Sequence, residues 1–314
     1  MPSVVAVRDS SSLRRRVPTA MVYGAVVLAS IHFGEMYFLL AVVAGAILAY
    51  YELWRLFARA DYAPSLGGGL VLVLTFLLIH YFWSQVRLQG LDASFEAGLF
   101  FAIVAGSAVA LAIIVGGVLA LARADLRAGL LSSSITILGA LYCGWMLGYL
   151  IELASFGIIV GSHAGLDPTS VAGYMVDRSG VFLAILPTWG SDVAAYAVGS
   201  AIGRHRFLSR VSPGKTVEGI VGGLAGAVLV GFLFVSLPIE DYEFPWWAGV
   251  FAGVLVGVAA PLGDLVESAI KRAAGAKDSG GMLPGHGGML DRLDSLIFVA
   301  PVVSLFFEIA LRFS

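Results

Sequence analysis

The chain has 314 residues, of which 59% are apolar and 13% charged, and its mean hydropathy is +0.92. Soluble domains carry about 25% charged residues, so this composition excludes an ordinary soluble domain, and the apolar content excludes a disordered chain. The single cysteine, Cys143, excludes a disulfide framework, and we expect it to pack as a small apolar residue. The net charge of −2 argues against a nucleic-acid partner. The composition therefore predicts an integral membrane protein.

Nine apolar stretches are long enough to cross a bilayer, which takes roughly 20 residues of helix. The sequence predicts an all-α, polytopic protein with a polar tail at residues 1–16, about five spans in residues 17–178, and a C-terminal catalytic region at residues 179–314. The basic run that ends the tail is also typical of a signal peptide, but we favour a retained first helix. The predicted spans are 17–33, 36–57, 66–84, 97–121, 129–153, 179–202, 217–237, 246–268 and 295–312.

The distribution of basic residues predicts the orientation. With the N-terminus in the cytoplasm, 16 of the 19 basic residues fall in cytoplasmic segments, and only Arg87, Arg178 and Arg312 fall on the other side. Lys and Arg are enriched in cytoplasmic loops. We therefore expect a cytoplasmic N-terminus and a site that faces the cytoplasm. The compact chain favours a bacterial inner membrane over an organellar one.

The polar residues of the first half form no recognisable site. Glu35, Glu52 and Glu152 lie near the ends of predicted spans, where a carboxylate can reach water, and we expect no catalytic role for them. His32 and His80 stand alone in apolar runs, and we expect both to pack against neighbouring helices. Chemistry is therefore expected in the second half.

The first polar region of the second half begins at Asp192, inside an apolar helix, and continues through the loop that follows it. A carboxylate within a membrane helix needs a partner, a proton or a cation. The residues at 214–216 resemble the end of a P-loop, but position 209 is a serine where that motif requires glycine. A basic loop with hydroxyl groups can still bind phosphate oxygens. We therefore predict that Asp192, Ser212, Lys215 and Thr216 bind substrate.

The second polar region, residues 263–294, is richer in chemistry. On a helix, Asp264, Glu267, Ser268 and Lys271 share one face. A loop with glycines at 275, 280, 281, 285, 287 and 288 follows, and glycine allows positive φ and close approach of the backbone to a ligand. Carboxylates suit Mg²⁺, which binds through a few of them together with substrate phosphates. The pattern predicts phosphoryl or nucleotidyl transfer at a membrane surface.

Residues 268–294 resemble the phosphatidate cytidylyltransferases (CDP-diacylglycerol synthases) at every defined position of that family's pattern. The pattern is Ser-x-x-Lys-Arg, four residues, Lys-Asp, a glycine-rich stretch, Pro-x-His-Gly-Gly, then Asp-Arg-x-Asp. The segments around Asp192 and at 212–219 are also similar to the family's, although Gly214, Val193 and Ala194 depart from its commoner residues. The matching residues are Ser268, Lys271, Arg272, Lys277, Asp278, Pro284, His286, Gly287, Gly288, Asp291, Arg292 and Asp294.

The resemblance implies transfer of CMP from CTP to phosphatidic acid, with CDP-diacylglycerol and pyrophosphate as products. It implies that Mg²⁺, alone or with a second cation, is bound by Asp264, Asp291 and Asp294, and we expect a homodimer. The catalytic residues are then expected to be Asp264, Ser268, Lys271, Arg272, Lys277, Asp278, His286, Asp291 and Asp294. The residues expected to bind substrate are Asp192, Ser212, Lys215, Thr216, Gly287, Gly288 and Arg292.

Two alternatives remain open from the sequence. One is a CTP-dependent kinase of polyprenol or phytol, which would also be polytopic and acidic at its active site. The other is a cation-coupled transporter, with Asp192 and Asp264 as ion sites within the membrane. Transporters commonly hold such acids near the midplane, between repeated halves. No repeat is visible here, and the acids cluster toward one face.

Overall fold

A computed structural model describes residues 10–58, 62–90, 95–237, 245–281 and 287–313, with the side chains of 10–17, 20, 95 and 310–313 left out. Within these residues all regular structure is helical, apart from one isolated antiparallel bridge between Arg206 and Thr216. The prediction of an all-α protein is confirmed. The helices are α1 (Ser10–His32), α2 (Glu35–Phe57), α3 (Leu66–Leu88), α4 (Phe95–Leu121), α5 (Leu126–Ala140), α6 (Met146–His163), α7 (Val171–Asp177), α8 (Ser179–Ile202), α9 (Val217–Val235), α10 (Trp246–Ala273) and α11 (Leu290–Phe313).

Seven helical stretches of the described chain are long and apolar enough to cross a membrane. One of them, Leu126–His163, has 38 residues, because a π-helical turn at Leu141–Trp145 joins α5 to α6 without a break. The apolar part of α1, Met21–His32, is shorter. The prediction of a polytopic helical protein is therefore confirmed, and nine is an approximate number of spans.

Several helices extend beyond the predicted spans, and α1 and α6 do so most. α1 already begins at Ser10, within the stretch expected to be a polar tail. α6 continues to His163, past the predicted end at residue 153, and its last turns pack against the end of α7. A Cβ atom at Gly157 would overlap the backbone oxygen of Asp177, so glycine permits this contact. Such packing between helices leaves no trace in local hydropathy.

The four C-terminal helices form the scaffold of the site. α8 packs on α9, α9 on α10, and α10 on α11. Between α8 and α9, a Cβ atom at Gly222 would overlap Val198, and one at Gly226 would overlap Ala194. These glycines thus have a packing role, because small residues let membrane helices approach closely. The close approach brings the polar ends of the four helices together.

A buried polar cluster joins the N-terminal helices to α11. The Nδ1 atom of His80 on α3 lies 2.5 Å from Oε1 of Glu152 on α6. A guanidinium nitrogen of Arg87 lies 3.0 Å from a carboxylate oxygen of Glu308 on α11 and 3.8 Å from Glu152. The expectation that Glu152 reaches water is wrong, since its residue is 4% exposed and the neighbouring cations compensate its charge. His80 and Cys143 are fully buried, as expected.

Candidate active site

Helix α10 carries the four polar residues predicted to share one face, and it ends in a glycine cap. Asp264, Glu267, Ser268 and Lys271 lie on consecutive turns near its C-terminus. Gly275 adopts a φ of 70°, and the N–H of Ala276 donates to the carbonyl of Lys271 at 2.8 Å. This left-handed glycine termination is the Schellman pattern. The chain therefore turns back at Gly275, and the glycine-rich loop leads to the start of α11.

Three carboxylates from α10 and α11 converge in the site. One ligand atom from each of Asp264, Glu267 and Asp294 lies within 4.8 Å of the other two. Glu267 is fully buried, and although its Oε2 lies 2.6 Å from the Lys271 ammonium, neither of its oxygens accepts a well-formed hydrogen bond among the described residues. Carboxylates this close together must be paired with a basic group, protonated or bound to a cation. Sequence reasoning placed Glu267 on the right face but did not include it among the site residues.

Asp291 lies beside these three carboxylates and organises the loop. Its Oδ1 accepts a hydrogen bond from the Lys271 ammonium at 2.5 Å. Its Oδ2 accepts from the Ser279 hydroxyl at 2.7 Å, the Ser279 N–H at 3.1 Å and the Gly288 N–H at 2.7 Å. Gly287, with a φ of 81°, makes the turn that aims these groups at Asp291. Asp291 thus connects Ser279 and Gly288, near the two ends of the loop, to Lys271 on α10.

Glu52, on α2, also holds this loop, although sequence reasoning expected no role for it. The residue is 1% exposed, and its Oε2 accepts from the Ser279 hydroxyl at 3.0 Å and the Leu290 N–H at 2.8 Å. A Cβ atom at Gly280 or Gly288 would press into its carboxylate, which explains a need for glycine at both positions. The expectation that Glu52 reaches water is wrong because the loop covers it. Ser279 lies 227 residues away in the chain, so no local pattern could reveal the pair.

The loop between α8 and α9 forms another wall of the site, against α10. The Lys215 ammonium lies 2.9 Å from Oδ2 of Asp264 and donates to the carbonyl of Pro261 at 3.0 Å. The Thr216 hydroxyl accepts from the N–H of Gly219 at 3.1 Å and so caps the N-terminus of α9. Sequence reasoning, which assigned Thr216 to phosphate binding, missed this capping role. The cap fixes Lys215 against α10.

Two polar cavities meet in the site. The basic cavity, of about 580 Å³, lies between α8, α9 and the loop that joins them. The acidic cavity, of about 490 Å³, lies between α1, α8 and α11. Asp192 and Asp264 line both, so these two carboxylates form the shared wall. The basic cavity is also lined by Ser200, Gly203, Arg206, Lys215 and Thr216, and the acidic one by Tyr23, Trp189, Asp291, Arg292 and Asp294.

The other predicted residues lie around these cavities. The Ser268 hydroxyl donates to Asp264 at 3.3 Å, so it orients that carboxylate. Arg272, Lys277 and Asp278 are exposed on the loop side of α10 and line neither cavity. Ser212 is partly buried in the turn before Lys215 and lines neither cavity. His286 lies outside the described residues.

Comparison with known proteins identifies relatives of this chain. The family described as "Cytidylyltransferase family" matches residues 14–310. Over 184 residues the chain is 41% identical to a phosphatidate cytidylyltransferase of Synechocystis sp., covering 55% of this chain and 61% of that protein. It is 36% identical over 174 residues to a phosphatidate cytidylyltransferase of Bacillus subtilis, covering 55% of this chain and 57% of that protein. It is also 37% identical over 196 residues to the uncharacterized protein YnbB of Escherichia coli, covering 60% of each. The chain thus spans about three-fifths of the length of these relatives.

Proposed function

The chain belongs to the cytidylyltransferase family, and on that premise we propose that it transfers CMP from CTP to phosphatidic acid, giving CDP-diacylglycerol and pyrophosphate. The observation that carries the proposal is the pair of polar cavities that share Asp192 and Asp264. Besides these shared acids, one is lined by cationic, hydroxyl and glycine residues, and the other by further acids, Arg292 and the aromatic Tyr23 and Trp189. A reaction between a nucleotide and a lipid phosphate needs two adjoining sites of these two kinds.

We assign the triphosphate of CTP to the basic cavity. Lys215 is a point charge suited to phosphate, and Arg206 offers a planar donor group. Gly199 and Gly203 let a ligand approach the backbone closely. Arg272, Lys277, Asp278 and Ser212 stay predicted members of the site that lie outside the two cavity walls, and His286 stays a predicted member outside the described residues.

We assign the headgroup of phosphatidic acid to the acidic cavity, together with the metal. Arg292 lines this cavity and can pair with the lipid phosphate. Asp264, Glu267 and Asp294 would hold Mg²⁺, since they offer hard oxygen ligands and Glu267 has two buried oxygens without hydrogen bonds among the described residues. Asp291 lines the same cavity and remains a further predicted ligand. The bound ion would neutralise charge on the α-phosphate and on the departing pyrophosphate.

The proposed step is an exchange of two bonds at one phosphorus. An oxygen of the lipid phosphate bonds to the α-phosphorus of CTP, while the bond from that phosphorus to the oxygen bridging to the β-phosphate breaks. The electron pair leaves with pyrophosphate. The nucleophile is already an anion, so no strong general base is needed. Lys215, Lys271 and Arg292 offset the negative charge that builds up in the transition state. The rate enhancement comes from positioning and charge neutralisation.

We further propose that the site faces the cytoplasm of a bacterial inner membrane and that the protein is a homodimer. The excess of basic residues in the predicted cytoplasmic segments supports the orientation. CTP is then available on the side where the basic cavity opens. Protease access in sealed inverted vesicles tests the orientation, and the mass of the protein–detergent complex tests the dimer.

The proposed reaction is tested by labelling. Purified protein is incubated with phosphatidic acid, Mg²⁺ and CTP labelled either at the α- or at the γ-phosphate. We expect the α-label in the lipid product and the γ-label in pyrophosphate. Chelation of Mg²⁺ is expected to abolish the appearance of both labelled products. The γ-label in lipid would instead identify a lipid kinase. No label in lipid, combined with ion uptake by reconstituted vesicles, would identify a transporter.

A further inference from the structure

A third cavity lies next to the acidic cavity and is almost entirely apolar. It has a volume of about 190 Å³ and is walled by α1, α2, α6, α8 and α11. Apart from the aromatic Tyr23, the one polar side chain in its lining, Ser30, donates its hydroxyl hydrogen to the carbonyl of Val27 at 2.7 Å. A cavity with satisfied polar groups and apolar walls stays dry and accepts hydrocarbon. Its lining includes Val26, Phe38, Ala41, Val42, Ala44, Gly45, Leu147, Ile185 and Leu293.

This apolar cavity adjoins the acidic one. Tyr23, Trp189 and Leu296 line both. On α11 the two linings interleave: Asp291 and Asp294 belong to the acidic cavity, whereas Leu293 belongs to the apolar one. A ligand that enters both would therefore have a charged group at one end and hydrocarbon at the other.

The apolar cavity also reaches the surface that faces the bilayer. Val26 on α1 is 58% exposed, and Ala44 on α2 is exposed as well, although both line the cavity. Within the described chain these positions lie on helices rich in outward-facing apolar side chains. These exposed lining residues place the cavity beside the outer surface of α1 and α2.

We propose that the apolar cavity binds one acyl chain of the glycerolipid whose phosphate lies in the acidic cavity, and that its depth sets acyl-chain preference. The assignment rests on the proposed function for the identity of the lipid. The residues that it shares with the acidic cavity, its apolar walls and its exposed edge together select an acyl chain as the occupant. Because the chain comes from the hydrocarbon of the bilayer and not from water, its preference there is set by how well it packs against the cavity walls and not by the hydrophobic effect.

The test fills the cavity and compares lipids of two chain lengths. Ala41→Trp and, separately, Ala44→Phe place a large side chain in the cavity, while Leu40→Trp places a tryptophan at a neighbouring position that is 57% exposed and does not line it. The rate of CMP transfer is measured with dioctanoyl and with dioleoyl phosphatidic acid in the same mixed micelles. We expect the ratio of kcat/KM for the long over the short lipid to fall by about tenfold in both filled variants, because the added side chain displaces the longer acyl chain, and to stay unchanged in Leu40→Trp.

The outcomes separate this proposal from the proposed function. If the parent protein transfers CMP but the ratio is unchanged in Ala41→Trp and Ala44→Phe, or falls equally in Leu40→Trp, the acyl-chain site is refuted and the enzymatic function stands. If the parent transfers CMP to neither lipid, the function itself is refuted. Activity of each variant on the dioctanoyl lipid reports that the protein has folded.

Discussion

Removing the carboxylate of Glu52 tests whether the N-terminal half of the chain holds the catalytic loop. Glu52→Ala deletes two hydrogen bonds accepted by a buried carboxylate, from Ser279 at 3.0 Å and from Leu290 at 2.8 Å. Hydrogen bonds to charged groups contribute about 1.5–3 kcal/mol each, and a buried N–H left without a partner costs about 1–3 kcal/mol. The Ser279 hydroxyl, which has a single hydrogen, keeps Asp291 as its acceptor, so the loss falls mainly on the Leu290 N–H, and we expect stability to fall by about 1.5–3 kcal/mol.

The effect on catalysis follows from the contact that Ser279 also makes with Asp291. Without Glu52 the loop keeps its hydrogen bonds to Asp291 but loses its anchor to α2, so the loop and Asp291 can shift together in the acidic cavity. Displacements of about 1 Å can lower a rate by about 10²-fold. We expect kcat for CMP transfer to fall by about that factor while KM for CTP changes little, because the basic cavity does not include this loop.

The matched control is Glu52→Gln, whose amide oxygen can replace Oε2 and accept both hydrogen bonds. We expect this variant to keep most of the activity that Glu52→Ala loses. The assays are transfer of α-labelled CMP to lipid, with kcat and KM determined separately, and thermal unfolding in detergent. Unchanged kcat in Glu52→Ala would refute the positioning role, and so would an equal loss of kcat in both variants.

Three further predictions concern the walls of the site and the buried polar cluster. Asp264→Ala and Asp294→Ala are each expected to abolish CMP transfer while leaving a folded, membrane-inserted protein, and near-normal turnover of either would contradict the metal assignment. Lys215→Ala is expected to raise KM for CTP by about tenfold, whereas exposed Arg123→Ala changes nothing; equal KM values for parent and Lys215→Ala would exclude that loop from the CTP site. Glu152→Ala removes the carboxylate that pairs with the ring of the buried His80, while Arg87 keeps Glu308, and is expected to cost about 1–3 kcal/mol, seen as a lower unfolding temperature with unchanged KM; an unchanged unfolding temperature would show that the cluster does not stabilise the fold.

The parts of the site that could be predicted from the sequence share one property: their partners are close in the chain. Asp264, Ser268 and Lys271 are neighbours on one helix, and Asp291 and Asp294 lie one turn apart on the next. Helical periodicity and the glycine-rich loop were enough to place these groups near one another. The apolar runs likewise predicted the helices, since the length of each run indicates directly whether a helix there can cross a membrane.

What could not be predicted depends on contacts between distant segments. Glu52 and Glu152 sit in apolar helices, and a local pattern cannot distinguish a carboxylate at a wet helix end from one covered by a loop or paired with a buried cation. The role of Thr216 as a helix cap was missed for a different reason. A hydroxyl next to a lysine suggests phosphate binding, but its position immediately before α9 is equally typical of an N-cap.

The wall shared by the two polar cavities has a consequence for turnover. The substrates of the proposed reaction reach it independently, CTP from water and the lipid from the bilayer, so neither needs to bind first. The product is different, because one molecule then carries a nucleotide on one side of Asp192 and Asp264 and two acyl chains on the other. It can leave into the bilayer only by drawing its cytidine past both carboxylates. The geometry that brings the reactants together therefore makes release of the lipid product the step that demands most movement between α8 and α10.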